Sequence, residues 1–187
     1  MTASGVLESP AAGIDQVVLD AAAISRRVRE LGAEISRDCA GEELSVVGIL
    51  KGAEPFVCDL VRAMPCPVRL DFISVSSYSP PPRGGGVRIL KDLEEDVSGR
   101  RVLVVEDIVD TGLTLNYLLG LIRSRGPASL EVCTLLERPE LRLVEIPVRY
   151  SGFRVSQEFL VGYGLDYREQ FRNLPFIATL SREAAAD

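Results

Sequence analysis

The stretch that most constrains this chain is Arg101 to Thr114, RVLVVEDIVDTGLT. Its four consecutive apolar residues, Val102 to Val105, lie between polar neighbours and read as a short strand buried on both faces of a parallel sheet. Glu106 and Asp107 then stand at the strand's carboxyl end, followed by Asp110 and the turn Thr111-Gly112-Leu113-Thr114. Ligands of open α/β sheets bind in the crevice outside the carboxyl ends of the strands, so chemistry is expected here. Gly112 allows a backbone conformation that other residues resist. Thr111 and Thr114 bring hydroxyls to a loop running into a helix, which suits a phosphate. The carboxylates beside it suit Mg²⁺ or sugar hydroxyls, because hard cations take oxygen ligands.

The flanking sequence supplies the rest of such a sheet. Ser45 to Leu50, SVVGIL, reads as a second buried strand, followed by Lys51-Gly52 and a helix with Phe56, Val57, Leu60 and Val61 on its apolar face. Earlier, Asp20 is placed to cap a helix carrying Ile24, Val28, Leu31 and Ile35 at helical spacing. Pro67 to Val75 alternates like a half-exposed strand, and Val87 to Leu90 resumes an extended pattern. Between them Ser77 to Gly86, SYSPPPRGGG, is a long loop tipping a hairpin, with hydroxyls at its base from Ser77 and Tyr78. Leu115, Leu118, Leu119 and Ile122 line a helix stopped by Gly126-Pro127. Ser129 to Leu136 is another strand, ending in Glu137-Arg138-Pro139; Tyr150 to Phe153 and Glu158 to Val161 are shorter extended segments. The fold class is α/β, a central mostly parallel sheet flanked by helices.

Several residues carry two readings at this level. Lys51 is either a cation meeting an anion at a strand end or a solvated loop lysine. Arg138 either donates to a carbonyl or phosphate oxygen or is a loop residue before proline. Phe159, with Leu160, presents an apolar wall to a flat ring or joins the core. Arg172 is surface charge or a second anion contact.

Composition narrows the chemistry. At 187 residues and 47% hydrophobic, the chain suffices for one domain with a substantial core and a small appended lobe. A net charge of -6 argues against a broad nucleic-acid surface. Cys39, Cys58, Cys66 and Cys133 form no CxxC pair and there is no histidine, which removes the usual zinc set and any Ser/Cys–His nucleophile. Reduced thiols in a cytoplasmic protein follow. The first residues lack the basic and apolar regions of a signal peptide, and no stretch approaches a membrane span, so a soluble, unexported protein is expected. Residues 1–13 read as a mobile tail and 14–187 as a single domain. Neither GxxxxGK[ST] nor GxGxxG is present, which disfavours P-loop hydrolysis and dinucleotide binding. A phosphate turn beside carboxylates, with cations on separate strand ends, matches transfer chemistry on a phosphorylated sugar.

VLVVEDIVDTGLTL resembles the phosphoribosyl-pyrophosphate (PRPP) motif of the type I phosphoribosyltransferases, most closely the hypoxanthine-guanine enzymes. GILKGAEPF, the Ser77-Tyr78 pair, VRILKDLEEDVSGR, VCTLLERP and EFLVGYGLDYREQFRNLP also have counterparts there, so the resemblance runs from about Val17 to Ala178. It implies the type I phosphoribosyltransferase fold, with a small hood lobe built from both chain ends. It also implies transfer of phosphoribosyl from PRPP to hypoxanthine or guanine, giving IMP or GMP and pyrophosphate in purine salvage. Carried over by position, Glu106 and Asp107 orient the ribose hydroxyls and their Mg²⁺, and Asp110 faces N7 of the base as general base. Asp110, Thr111, Gly112, Leu113 and Thr114 hold the 5'-phosphate. Lys51 and Gly52 form the pyrophosphate loop, often preceded by a non-proline cis peptide, and Arg172 is a further pyrophosphate contact. Ser77 and Tyr78 belong to the lid. Phe159 stacks on the base, Leu160 offers it a backbone contact, and Asp166 is a second metal-linked carboxylate near it. A homodimer or homotetramer without nucleic-acid or membrane partners is implied. Arg138 departs from the family's lysine, which reads the purine 6-oxo group, and Arg is not a conservative replacement at a close contact. That departure keeps open xanthine or a modified 7-deazapurine as acceptor; a PRPP- or nucleotide-sensing regulator is the reading from another class.

Overall fold

In the computed structural model of the chain, residues 13–76 and 87–181 are described. The tail expected over residues 1–13 therefore falls, apart from Gly13, outside the described residues, as do Ser77, Tyr78 and the loop to Gly86. In chain order the elements are β1 (Ile14–Leu19), α1 (Ala21–Cys39), β2 (Leu44–Leu50), α2 (Glu54–Arg62), β3 (Val68–Val75) and β4 (Ile89–Lys91). They continue with β5 (Arg101–Val109), α3 (Leu113–Arg123), β6 (Ser129–Glu137), a 3₁₀ turn (Pro139–Leu141), β7 (Val148–Arg154), β8 (Leu160–Val161) and β9 (Ile177–Leu180).

The main sheet has the order β4-β3-β2-β5-β6-β7. Every neighbouring pair is parallel except the β3–β4 hairpin. The two central strands show why their sequences are continuous apolar runs. Along β5, Leu103 and Val105 face α1 and α2, whereas Val102 and Val104 face α3, and all are essentially inaccessible to solvent. A strand covered by helices on both sides has no face left for polar residues. α1 turns toward the sheet Ile24, Val28, Leu31 and Ile35, and the Asp20 carboxylate caps it by accepting from the Ala23 N–H at 2.7 Å. Gly32 lets α1 meet α2 closely, since a Cβ there would lie 2.8 Å from the Ala63 carbonyl oxygen.

A second, three-stranded antiparallel sheet, β1-β9-β8, joins segments near both ends of the chain. Its small core comprises Ile14, Val161, Leu174 and Ala178. β1 and β9 escaped the periodicity reading. IDQVVL exposes four consecutive positions, and β9 is short, so both are defined by pairing across the chain. β8 covers Leu160–Val161 only, leaving Glu158 and Phe159 in the preceding loop. Among the described residues no helix is long and apolar enough to cross a membrane. The cysteines are free thiols.

β5 does not stop at Val105: it pairs with β6 as far as Val109↔Glu137, so Glu106 and Asp107 lie within the strand. On its other side pairing with β2 ends at Gly48↔Val105. The two carboxylates thus sit where β5 has lost one neighbour, facing the turn that leads from β2 into α2.

The hairpin edge is tied by Asp71, whose carboxylate accepts from the N–H groups of Phe72 (2.7 Å), Glu94 (2.7 Å) and Glu95 (3.1 Å). Burial pushes this carboxyl up, but those N–H groups and the Lys91 ammonium outweigh it and hold it below the usual carboxylate range. Asp71→Ala is expected to lower unfolding free energy by about 2 kcal/mol at neutral pH in urea titrations. Because the folded pKa is depressed, this stabilisation is present above the unfolded value and fades as pH falls through the folded one. The gap between variant and wild type should therefore close below about pH 4.

Candidate functional site

The carboxyl ends of β2 and β5 open on a cleft of about 330 Å³. Its lining brings together Lys51, Gly52, Glu106, Asp107, Asp110, Thr111, Gly112, Thr114, Asp166 and Arg172. These residues come from separated parts of the chain: the turn after β2, the end of β5 with its turn into α3, and the segment between β8 and β9. Leu113 opens α3 just behind the turn. Arg138, Phe159 and Leu160 are outside this lining.

The Leu50–Lys51 peptide is cis, at the position the sequence resemblance implied. Gly52 follows, pressed against Asp107: a Cβ on it would stand 1.7 Å from Asp107 Oδ2. On its far side Gly164 comes as close, since a Cβ there would lie 1.9 Å from the Gly52 carbonyl oxygen. Gly164 also has φ 98°, which a side chain would resist. The turn carrying it is anchored to α2 by the Tyr163 hydroxyl, which donates to Asp59 Oδ2 at 2.7 Å.

Glu106 and Asp107 are half-buried side by side. Burial pushes the Glu106 carboxyl well above its ordinary value, and the charge of Asp107 adds to this. Burial also raises Asp107, opposed by the Ile108 N–H at 2.7 Å and by the field of Arg172. Glu106 Oε2 is buried and has no hydrogen-bond partner among the described residues. Such a pair calls for an external donor or cation. Among the described residues, however, no three carboxylates, thiols or imidazoles converge to hold a metal ion, so Glu106, Asp107 and Asp166 are not a ready-made cage.

Asp110 ends the strand and starts the turn. Gly112, at φ 79°, caps α3 without a side-chain bond, and the first turn of a helix leaves N–H groups for an anion. The turn is braced from behind, where Leu143 N–H donates to the Thr111 carbonyl at 3.0 Å and Ile146 and Val144 close on Gly112. Opposite this turn, Arg172 donates to the Gly164 carbonyl at 2.8 Å and pairs with Asp166 at 2.7 Å. Glu169 was not singled out from the sequence, where it is one charge in a polar run. Its carboxylate lies between the cleft's two cations, 2.9 Å from Lys51 Nζ and 3.4 Å from Arg172 Nη2.

On the other flank, Arg138 is buried at 7% exposure, neither a solvated loop residue nor a free donor. Its guanidinium engages Asp110 and the carbonyls of Ser156 and Glu158. Phe159 stands 56% exposed, its ring edge-on to Tyr167 with centroids 5.7 Å apart, so it is not a core residue. Leu160 beneath it is buried. The arrangement offers an anion site at the start of α3, desolvated carboxylates beside it, a cationic wall beyond them, and an exposed ring next to a carboxylate-guanidinium pair.

Comparison with known proteins places these features in a family. The phosphoribosyl transferase domain model matches residues 16–168. A hypoxanthine-guanine phosphoribosyltransferase of Mycobacterium avium is 49% identical over 174 residues, covering 89% of this chain and 86% of that protein. One from Streptococcus pneumoniae is 44% identical over 171 residues, covering 91% and 95%. The crystal structure of a hypoxanthine phosphoribosyltransferase from Staphylococcus aureus superposes with a TM-score of 0.89 at 41% identity, covering 94% of this chain and 96% of that one.

The close approach at Gly52 is testable without any ligand. Gly52→Ala is expected to destabilise the protein by about 1–3 kcal/mol, the usual range for overpacking, read from chemical denaturation. Wild-type stability would show that the turn does not bear on Asp107.

Proposed function

The chain belongs to the phosphoribosyl transferase family, and from that premise we propose that it moves the 5-phosphoribosyl group of PRPP onto hypoxanthine or guanine in purine salvage. The products are IMP or GMP and pyrophosphate. The observation that carries this reading is the single cleft lined at once by Asp110 to Gly112, by Glu106 and Asp107, and by Lys51 and Arg172. It offers PRPP a place for each of its three parts. The named relatives favour neither the specialised acceptor nor the regulator.

The 5'-phosphate would seat on the turn from Asp110 to Thr114, at the start of α3. The ribose hydroxyls would donate to Glu106 and Asp107, giving the orphaned Glu106 oxygen a partner. The pyrophosphate would lie against Lys51, the Gly52 backbone and Arg172, displacing Glu169 from the two cations. Phe159 would stack on the base, with Leu160 contacting it through the backbone and Asp166 near it. The lid residues Ser77 and Tyr78, outside the described residues, would exclude water that could otherwise hydrolyse PRPP.

A purine nitrogen forms its bond to C1 of the ribose as the C1–O bond to pyrophosphate breaks, and both electrons leave with the pyrophosphate. By analogy with other departures from an anomeric carbon, the transition state has oxocarbenium character. Asp110 takes the proton that the base must lose. Lys51 and Arg172 stabilise the charge gathering on pyrophosphate, the preorganised electrostatics that usually form the largest catalytic contribution.

The desolvated pair Glu106 and Asp107, with Asp166 nearby in the cleft, fits Mg²⁺. This ion keeps several waters and is held by one or two carboxylates plus substrate oxygens, so it does not need a protein cage. When bound, it would neutralise charge on the pyrophosphate and orient the ribose hydroxyls. A cytoplasmic homodimer or homotetramer is the setting we infer for this activity.

Mixing the protein with PRPP, Mg²⁺ and each of hypoxanthine, guanine, xanthine and adenine, then measuring pyrophosphate and nucleotide, tests the reading. Nucleotide is expected with hypoxanthine or guanine, and no product with any base would sink it. Asp110→Asn should lower kcat by about 100-fold, as loss of a general base does. Glu169→Gln should lower the KM for PRPP, because the pyrophosphate no longer competes with an internal carboxylate. An unchanged KM would remove Glu169 from that role.

A further inference from the structure

Arg138 terminates β6 at the rim of the cleft, where its backbone N–H donates to the Val109 carbonyl at 3.1 Å. The guanidinium is largely engaged by the protein itself. Nε donates to the Ser156 carbonyl at 2.8 Å, Nη1 stands 3.2 Å from both Asp110 oxygens, and Nη2 donates to the Glu158 carbonyl. A guanidinium has five N–H groups, one on Nε and two on each terminal nitrogen. At least one on each nitrogen is taken, so at most two remain.

These bonds join segments with different tasks. Asp110 opens the phosphate turn and is 41% exposed toward the cleft, whereas Arg138 beneath it is 9% exposed. Residues 156–158 are exposed and outside any strand, yet they lead directly into Phe159 and Leu160. Where they leave β7, the Val155 N–H donates to the Glu137 carbonyl at 3.1 Å. Beyond that point the Ser156 and Glu158 carbonyls hold this segment to the body by accepting from Arg138. A planar fork can meet acceptors on separate edges at once, while a lysine ammonium is a single point of donors.

We propose that Arg138 is a positioning residue that clamps Asp110 to the 156–158 backbone and so fixes, before the base arrives, the slot between Asp110 and Phe159–Leu160. The proposal rests on the phosphoribosyl-transfer reading for what enters the slot, but the clamp itself does not depend on it. Acceptor choice then follows from the width of a preset slot and the one or two N–H groups left over, in place of a mobile ammonium reaching for the 6-oxo group.

Arg138→Lys separates the two roles, and Arg138→Gln provides a second variant. If Arg138 served only as a donor to the base oxygen, lysine would do as well or better. The clamp predicts that Arg138→Lys raises the KM for hypoxanthine or guanine by about tenfold, the scale of one charged hydrogen bond. A readout independent of activity is tryptic cleavage after Arg154, whose side chain is 80% exposed at the start of the tethered segment. Both variants should be cut there faster than wild type, with the fragments identified by mass. Wild-type cleavage rates in both would overturn the clamp, whatever the activity. Faster cleavage with an unchanged or lower KM for the base would overturn its role in positioning. Failure of the wild-type protein to make nucleotide with any base would count against the functional reading and leave the proteolysis result standing as the test of the clamp.

Discussion

The contact on which the site depends is the approach of backbone to carboxylate at Gly52. The turn after β2 lies so close to Asp107, and Gly164 so close to the turn, that no side chain fits at either glycine. This stack covers Asp107, which β5 carries. It follows from strand register: β2 stops pairing at Gly48↔Val105, so the β2–α2 turn closes over the next two residues of β5. The 162–164 turn then rests on the first, with Tyr163 bonded to α2 to hold it there. Three distant segments are placed by two glycines and one hydroxyl.

That burial organises the charges. Burial raises both the Glu106 and the Asp107 carboxyls above their ordinary values, and they become good acceptors once hydroxyls or a cation compensate them. The cations across the cleft are compensated in the opposite way, through Asp166 and Glu169. The cationic half is thus largely compensated before a ligand binds. A ligand that carries hydroxyls at its centre and phosphates at its ends exchanges internal partners for its own, and the desolvation is already in place.

What was legible in the chain follows from whether a feature is local. SVVGIL and VLVV declare buried parallel strands because their apolar runs are continuous, and Asp20 declares a helix start because its carboxylate bonds three residues on. The phosphate turn is local too, since Gly112 must take a positive φ where the strand becomes a helix. The extent of β5 was not legible: Glu106 and Asp107 look like the end of a strand, and only β6 alongside shows that pairing continues. β1 and β9 depend on each other across most of the chain and carry little pattern of their own. Glu169 and the burial of Arg138 lay beyond sequence periodicity for the same reason, as each is defined by partners from other segments.

The segment after β6 shows how local and distant constraints meet. From one side, Leu143, Val144 and Ile146 support the phosphate turn through the Thr111 carbonyl and the face of Gly112. From the other, Arg138 holds Asp110 at the head of that same turn. Nine residues, 138–146, therefore grip the turn from behind and in front. A displacement of the base-side loop would be felt at Asp110 through the guanidinium, and a shift of the phosphate turn would be felt at residues 156–158 by the same route. The two substrates of a transfer reaction must meet at a defined distance, and a rigid fork between their binding segments is a direct way to set it.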